Sequence, residues 1–577
     1  MGMKNIIVKI GDDRDSLCGR ALSIFKDRIM ARCNARVYEG DDGAAIVISV
    51  DITLPFEAFR IEDASGAICI SGGSARGLLY GIGKFLRTSG YSDGFTPSSW
   101  RGTDVPQGLI RGMYFATHFH NWYHVAPEEE LVRYIEDMAL WGVNALKVIY
   151  PFINLKDWND PEAASAMTML RRCARTAHEL GLMFVTGVSN TMFSGAPKEL
   201  SAAPLKDLAG RRGNHGFPVC PSNPDGHAYI IENTRKFFEQ LSNVGVDLLM
   251  LWPYDEGGCG CEKCLPWGSN GFYKLSRDLT LLGREYFPGM KSIMSTWMFD
   301  TPPEGEWDGI SQKLEKSNDW LDYILADSHE DFPLYPLHNG VPGNLPLLNF
   351  PEISMWGLWP WGGFGANPLP RRFQRLWNQA KNILAGGFPY SEGIYEDINK
   401  AIVIQFYWNR DRTAEETMRE YIAYEYSPSV TGDILHLISL LETTHAQGSL
   451  RDCRTRLRRY RESYSSPELI KEGEHSSHII ETDLNNIGAK LDIDLAIAEG
   501  AKALALKIDA ELPVQMAREW RWRILFLRSV LEYPRLTDGL NSPETRIALR
   551  ELIDIFHSRV NDDGSDPYHR RVRPPLE

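Results

Sequence analysis

Between Leu109 and Ser391 the chain alternates short apolar runs with long amphipathic ones, and no other feature restricts its fold as strongly. The short runs are "LIRGMYF", "ALKVIY", "LMFVTGV", "LLMLW", "SIMST", "YILA", "ISMWGLW" and "GFPYS". Between them lie "PEEELVRYIEDMALWG", "PEAASAMTMLRRCARTAHELG", "NPDGHAYIIENTRKFFEQLSNVG", "YKLSRDLTLLGREYFPG" and "LPRRFQRLWNQAKNILAGG". Apolar residues spaced three and four apart predict helices, and continuous apolar runs bounded by turn residues predict buried strands. Eight such strands predict an α/β fold, a (β/α)8 TIM barrel. The alternative is an open doubly wound sheet, but no Gly-x-Gly-x-x-Gly follows a strand to support a dinucleotide site there.

The flanks read differently. Residues 1–105 predict a small α+β domain, with strands at "NIIVKI", "AAIVISVDI" and "AICISG" and a helix at "SARGLLYGIGKFLRTSG". The barrel is expected over 106–410. Residues 411–577 predict a helical C-terminal domain, from "TAEETMREYIAYEY", "GDILHLISLLETTHAQ", "DLAIAEGAKALALKIDAEL" and "EWRWRILFLRSVLEY". The 577 residues are 43% hydrophobic and 24% charged, an ordinary globular composition. A net charge of -14 repels polyanions, so no nucleic acid partner is expected. No window reaches the roughly 18 apolar residues of a membrane span, and "MGMKNIIVKIGDD" has no secretory leader. A cytoplasmic location away from membranes is expected, with the helical part available to pair with a second copy or to cap the barrel.

Catalytic groups of such barrels stand where the strands end. Here those positions predict His118 after strand 1, Asn190 after strand 3, and Tyr254, Asp255 and Glu256 after strand 4. Trp297, Trp356, Glu392 and Tyr395 follow strands 5, 7 and 8. Carboxylates, amides and tryptophans in one mouth suit a sugar, whose C–H faces stack on indole while its hydroxyls are hydrogen-bonded. Adjacent acids cannot straddle a glycosidic bond as the usual separated pair. They suit a sugar whose own 2-acetamido carbonyl attacks the anomeric carbon. Asp255 would hold the amide and stabilise the oxazolinium, and Glu256 would act as general acid/base. The plain alternative is that Asp255–Glu256 is only a polar loop.

These residues resemble a known family. The Asp-Glu pair closing strand 4 is similar to that of family 20 glycoside hydrolases and related β-N-acetylgalactosaminidases. "SARGLLYGIGKFLR" resembles the end of the small domain before their barrel, and "IRGMYFATHFHN" and "GVNALKVIYPF" resemble its first two strands. The resemblance implies an exo-acting retaining β-N-acetylhexosaminidase, with a glycan ending in GalNAc or GlcNAc as substrate and Arg111 on the sugar hydroxyls. Two departures stand out: the pair follows "WPY" rather than glycines, and cysteines follow it. A second resemblance is to α-glucuronidases, inverting enzymes with a similar layout, which would shift the chemistry toward Glu392, Glu396 or Asp397. A non-catalytic carbohydrate-binding barrel and a zinc hydrolase are the remaining alternatives.

The cysteines form C-x-C-x-x-C at Cys259, Cys261 and Cys264. Tetrahedral zinc needs a fourth ligand, for which Cys220 is the first candidate and His215 the second. The expectation is a structural zinc that braces the loop of Glu256, with no cofactor for catalysis. His118, His120 and His124 could also bind metal, but a sugar-contacting or structural role is preferred.

Overall fold

The computed structural model describes residues 2–11, 16–117, 121–152, 155–188, 191–205, 218–254, 258–300, 305–328, 331–353, 366–391, 393, 395–445, 493–537 and 541–560. The chain begins with a mixed six-stranded sheet. Its order is Arg36–Glu39, Asn5–Ile10, Ile46–Val50, Ala67–Gly72, Phe59–Ala64, Gly102–Asp104. Helices Ser16–Arg32 and Ala75–Arg87 pack on one another beside it. "NIIVKI" and "AICISG" form strands as read. Strand Phe59–Ala64 escapes the sequence reading because "RIED" is mostly charged. It is nevertheless tied to Ala67–Gly72 by a hairpin whose turn residues, Ser65 and Gly66, both have positive φ.

The barrel follows. Its strands are Ile110–Phe115, Ala145–Val148, Met183–Val188, Leu248–Leu251, Lys291–Ser295, Tyr323–Asp327, Leu347–Phe350, and Leu384–Gly387 continued by Tyr390–Ser391. They are numbered barrel strands 1 to 8. All pair in parallel, and strand 8 closes on strand 1 through Gly386 with Ile110 and Tyr390 with Tyr114. Strands 1, 2, 4 and 7 are buried along their whole length; strand 4 is an unbroken apolar run, while Arg111, Lys147 and Asn349 interrupt the other three. Three helices, ending at Leu140, Glu179 and Leu241, turn into the next strand through Gly142, Gly181 and Gly245 in left-handed conformations.

Two expected elements are corrected. Strand 7 is "LLNF", bracketed by Pro346 and Pro351, and the expected "ISMWGLW", apart from Ile353, lies outside the described residues. The aromatic run looked more strand-like than four residues between prolines. Helix Pro370–Ala380 stops before "LAGG", which is the first half of strand 8 rather than helix. Its glycines disguise it as a helix terminus.

After barrel helix Asp397–Trp408 the described residues form helices at Ala414–Glu425, Thr431–His445, 493–511, Trp520–Leu536 and Pro543–His557. No helix among the described residues is long and apolar enough to cross a membrane. The first part of the chain meets the helical C-terminal part at Glu420. Its carboxylate takes Lys84 Nζ at 2.7 Å and Arg87 Nε at 2.8 Å from the first part, and Arg412 Nη2 at 2.7 Å. Burial alone would raise this carboxyl, but the three cations overcome that and hold it well below the usual carboxylate range. The last helices are fastened to the barrel by Arg521 Nε on Asp397 at 2.8 Å and by Trp122 Nε1 on the Arg559 carbonyl at 2.9 Å.

Candidate active site at the open end of the barrel

Side chains that point into a barrel come from alternate positions of each strand, and the top layer meets the mouth. Tyr114 of strand 1 pairs in register with Lys147 of strand 2 and Tyr390 of strand 8. The Tyr114 ring lies 5.2 Å from Tyr390 and 5.5 Å from Phe350, at the end of strand 7. Trp252, the first residue beyond strand 4, crosses Phe350 at 4.9 Å and lies 5.4 Å from Trp297, beyond strand 5. These five rings make a continuous aromatic basin. Trp252 is its partly exposed member.

A cation sits against the basin. Lys147 is 2% exposed, and its Nζ stands 4.7 Å from the centre of the Tyr114 ring. A Cβ on Gly187 of strand 3 would come within 2.8 Å of this nitrogen, so glycine there makes room for the ammonium. Neither Lys147 nor Phe350 was picked out from the sequence. A lone lysine inside the otherwise apolar "ALKVIY" was the available signal for the first.

The chain leaving strand 4 is pinned on both sides of the acid pair. Before it, Tyr254 is buried and its hydroxyl donates to the Glu306 carboxylate, which also accepts from the Gly268 amide at 2.8 Å. Trp267 Nε1 donates to the Pro253 carbonyl. After it, the Gly258 amide donates to Thr191 Oγ1 at 3.0 Å. Asp255 and Glu256 lie outside the described residues, as do His118, His120, Asn190, His215, Trp356 and Glu392.

The structure corrects two expected sugar contacts. Tyr254 is turned into the protein body and anchors its loop. Arg111 is the second residue of strand 1 and therefore sits at the closed, N-terminal end of the barrel. It is fully buried and pairs bidentately with Glu57 at 2.9 and 3.0 Å, while Nε donates to the Gly142 carbonyl at 2.7 Å. Burial would raise the Glu57 carboxyl, but Arg111 and then Arg76 hold it below its ordinary value. Trp297 lies in the basin. Tyr395, just past strand 8, is 6% exposed, and its hydroxyl has no hydrogen-bond partner among the described residues. His124 is structural: its Nδ1 accepts from the Asn121 amide in a helix cap.

Behind the strand 8 exit, Lys400 Nζ donates to the Gly393 carbonyl at 2.6 Å and to Tyr123 and Tyr134. Burial brings this lysine down to about 8, against the pull of Asp397 and Glu396.

Cys220, Cys259, Cys261 and Cys264 come together beside the strand 4 exit, with their four Sγ atoms all within 4.8 Å of one another. Cys259 and Cys264 are buried, and Cys220 and Cys261 are partly exposed.

No family model and no curated protein matches the sequence. Solved structures do resemble the fold. A family GH115 4-O-methyl-α-glucuronidase with specificity for decorated arabinogalactans is 10% identical with a TM-score of 0.61, covering 100% of this chain and 79% of its own. A GH138 enzyme targeting pectin rhamnogalacturonan II is 14% identical with a TM-score of 0.59, covering 96% and 72%. The chitobiase of Flavobacterium johnsoniae, a GH20 protein, is 12% identical with a TM-score of 0.50, covering 98% and 94%. At these identities the likeness is one of fold.

Proposed function

We propose that this protein is a glycoside hydrolase working at the open end of its barrel, as an exo-acting retaining β-N-acetylhexosaminidase. The observation that carries the reading is the aromatic basin beside a strand 4 exit that is anchored before Asp255 and after Glu256. Aromatic faces hold a pyranose ring, and a short segment fixed at both ends positions acids for proton transfer. Asp255 orients the 2-acetamido group as its carbonyl oxygen attacks the anomeric carbon. Glu256 gives its proton to the leaving oxygen, then takes one from the water that opens the oxazolinium ring. The barrel shared with a GH20 chitobiase is compatible with this reading.

A second reading is favoured by Lys147. A buried ammonium against the basin suits a uronate carboxylate better than a neutral acetamide. The chain-wide fold likeness to a GH115 α-glucuronidase points the same way. A panel of nitrophenyl β-GlcNAc, β-GalNAc and α-glucuronide substrates separates the two. Cleavage of either acetamido sugar, inhibited by a thiazoline analogue, is the expected result. Cleavage of the uronide alone transfers the assignment to the second reading, and turnover of neither class removes both.

A further inference from the structure

We propose that Cys220, Cys259, Cys261 and Cys264 form a closed structural zinc site that bolts the segment after barrel strand 3 to the segment after barrel strand 4. A tetrahedron with Zn–S bonds of about 2.3 Å has edges of about 3.8 Å. The Sγ atoms of Cys220 and Cys261 are 3.9 Å apart, and all four lie within 4.8 Å of each other. These sulfurs therefore already surround a point that one ion fills. A disulfide, with sulfurs about 2.05 Å apart, would have to break up the cluster.

Backbone and hydroxyl groups surround the sulfurs. The Ser222 and Asn223 amides face the Cys220 sulfur, and the Cys261 amide faces that of Cys259. Ser222 Oγ lies 3.0 Å from Cys264 Sγ. Donors aimed at sulfur orient the ligands and spread the charge of a tetrathiolate. On binding, the four thiols release four protons to solvent and give four lone pairs to the ion, leaving a centre with two net negative charges. With four sulfur ligands no position stays open for water, so the ion supports rather than reacts.

The backbone is shaped to the same end. The Cys220 amide donates to the Leu200 carbonyl at 2.9 Å, and the Gly260 amide to the Ala203 carbonyl at 2.8 Å. A Cβ on Gly260 would stand 2.1 Å from the Pro204 carbonyl, so only glycine lets the two segments approach this closely. Cys259 is three residues beyond Glu256, which places the bolt next to the acid pair.

The site stands whether or not the glycosidase reading holds, and its test does not use activity. The full-length protein, expressed with zinc and dialysed, is analysed for metal by mass spectrometry, beside Cys220→Ser and Cys264→Ser. About one zinc per chain in the wild type, falling at least about tenfold in each variant, is the expected result. Cobalt exchanged into the wild type should give the intense visible bands and sulfur charge-transfer absorption of a tetrahedral thiolate centre. That spectrum decides the matter if a serine variant fails to fold. A metal-free wild-type protein, a mass deficit showing disulfides, zinc retained in both variants, or octahedral cobalt would overturn the proposal. Hydrogen exchange should also quicken at 200–205 and 258–264 when the metal is removed.

Discussion

The two ends of the barrel bury polar chemistry in opposite ways. At the closed end, Arg111 is matched donor by donor to Glu57 and to backbone carbonyls, and Asn144 ties the same corner to Arg111 N at 2.7 Å. At the open end, Lys147 lies over the Tyr114 ring within a cluster of five aromatic rings, and the residues on either side of the acid pair, Tyr254 and Gly258, are held by hydrogen bonds. A buried ion pair of the first kind keeps a structure together only while both partners are present. The aromatic cluster holds together by ring packing, and only Trp252 in it is partly exposed. An arginine and a carboxylate in one sequence do not reveal which end they occupy; their position along the strand does.

The sharpest way to break this contrast is Glu256→Gln. At the open end it should lower kcat by about a thousandfold or more with an unchanged melting temperature. Near-normal turnover of the preferred nitrophenyl glycoside would remove Glu256 from the chemistry. Asp255→Asn should follow it in direction.

Arg111→Met should do the reverse. The half-buried Glu57 then keeps only Arg76 at 3.2 Å and Asn144, so stability in chemical denaturation should fall, by less than the about 3–5 kcal/mol of a fully stranded buried charge, while KM of the folded fraction stays put. A rise in KM without loss of stability would return Arg111 to the substrate.

Trp252→Ala sharpens the comparison more gently. Losing one stacking face should lower kcat/KM about tenfold, with a smaller loss of stability than Arg111→Met. Equal activity would place the sugar elsewhere.

The smallest effects are in the pH dependence of unfolding. Glu57 has a folded value below its unfolded one, so its contribution is complete above the ordinary carboxylate range and is lost as pH falls through the folded value. Lys400 behaves oppositely. Its folded value is about 8 against an ordinary 10.5, so between those values the unfolded chain holds more protons and stability rises with pH. Denaturation midpoints of Glu57→Gln and Lys400→Met should flatten the acid and alkaline limbs respectively.

The fold was legible wherever burial is uniform. Strands such as "ALKV" and "LLML" are buried on both faces, by the surrounding helices outside and by the barrel's own side chains inside, and the helices between them keep an amphipathic period. It failed where composition misleads: the proline-bracketed "LLNF", the glycine-rich "LAGG", and the charged "RIED" of the first sheet. The candidate site is proposed from the sequence only as a region, since strand ends can be counted. Its individual contacts were not legible, because sequence does not say whether Tyr254 faces the mouth or Glu306, nor that Phe350 and Lys147 meet at Tyr114. The cysteines were the exception, because three of them carry their own spacing.

The meeting of Lys84, Arg87 and Arg412 on Glu420 bears on how this chain can be dissected. Cutting between the first sheet and the barrel would leave a carboxylate with one cation where it had three, and two stranded basic groups on the other fragment. A fragment that ends before the barrel should therefore be less stable than the same residues within the whole chain.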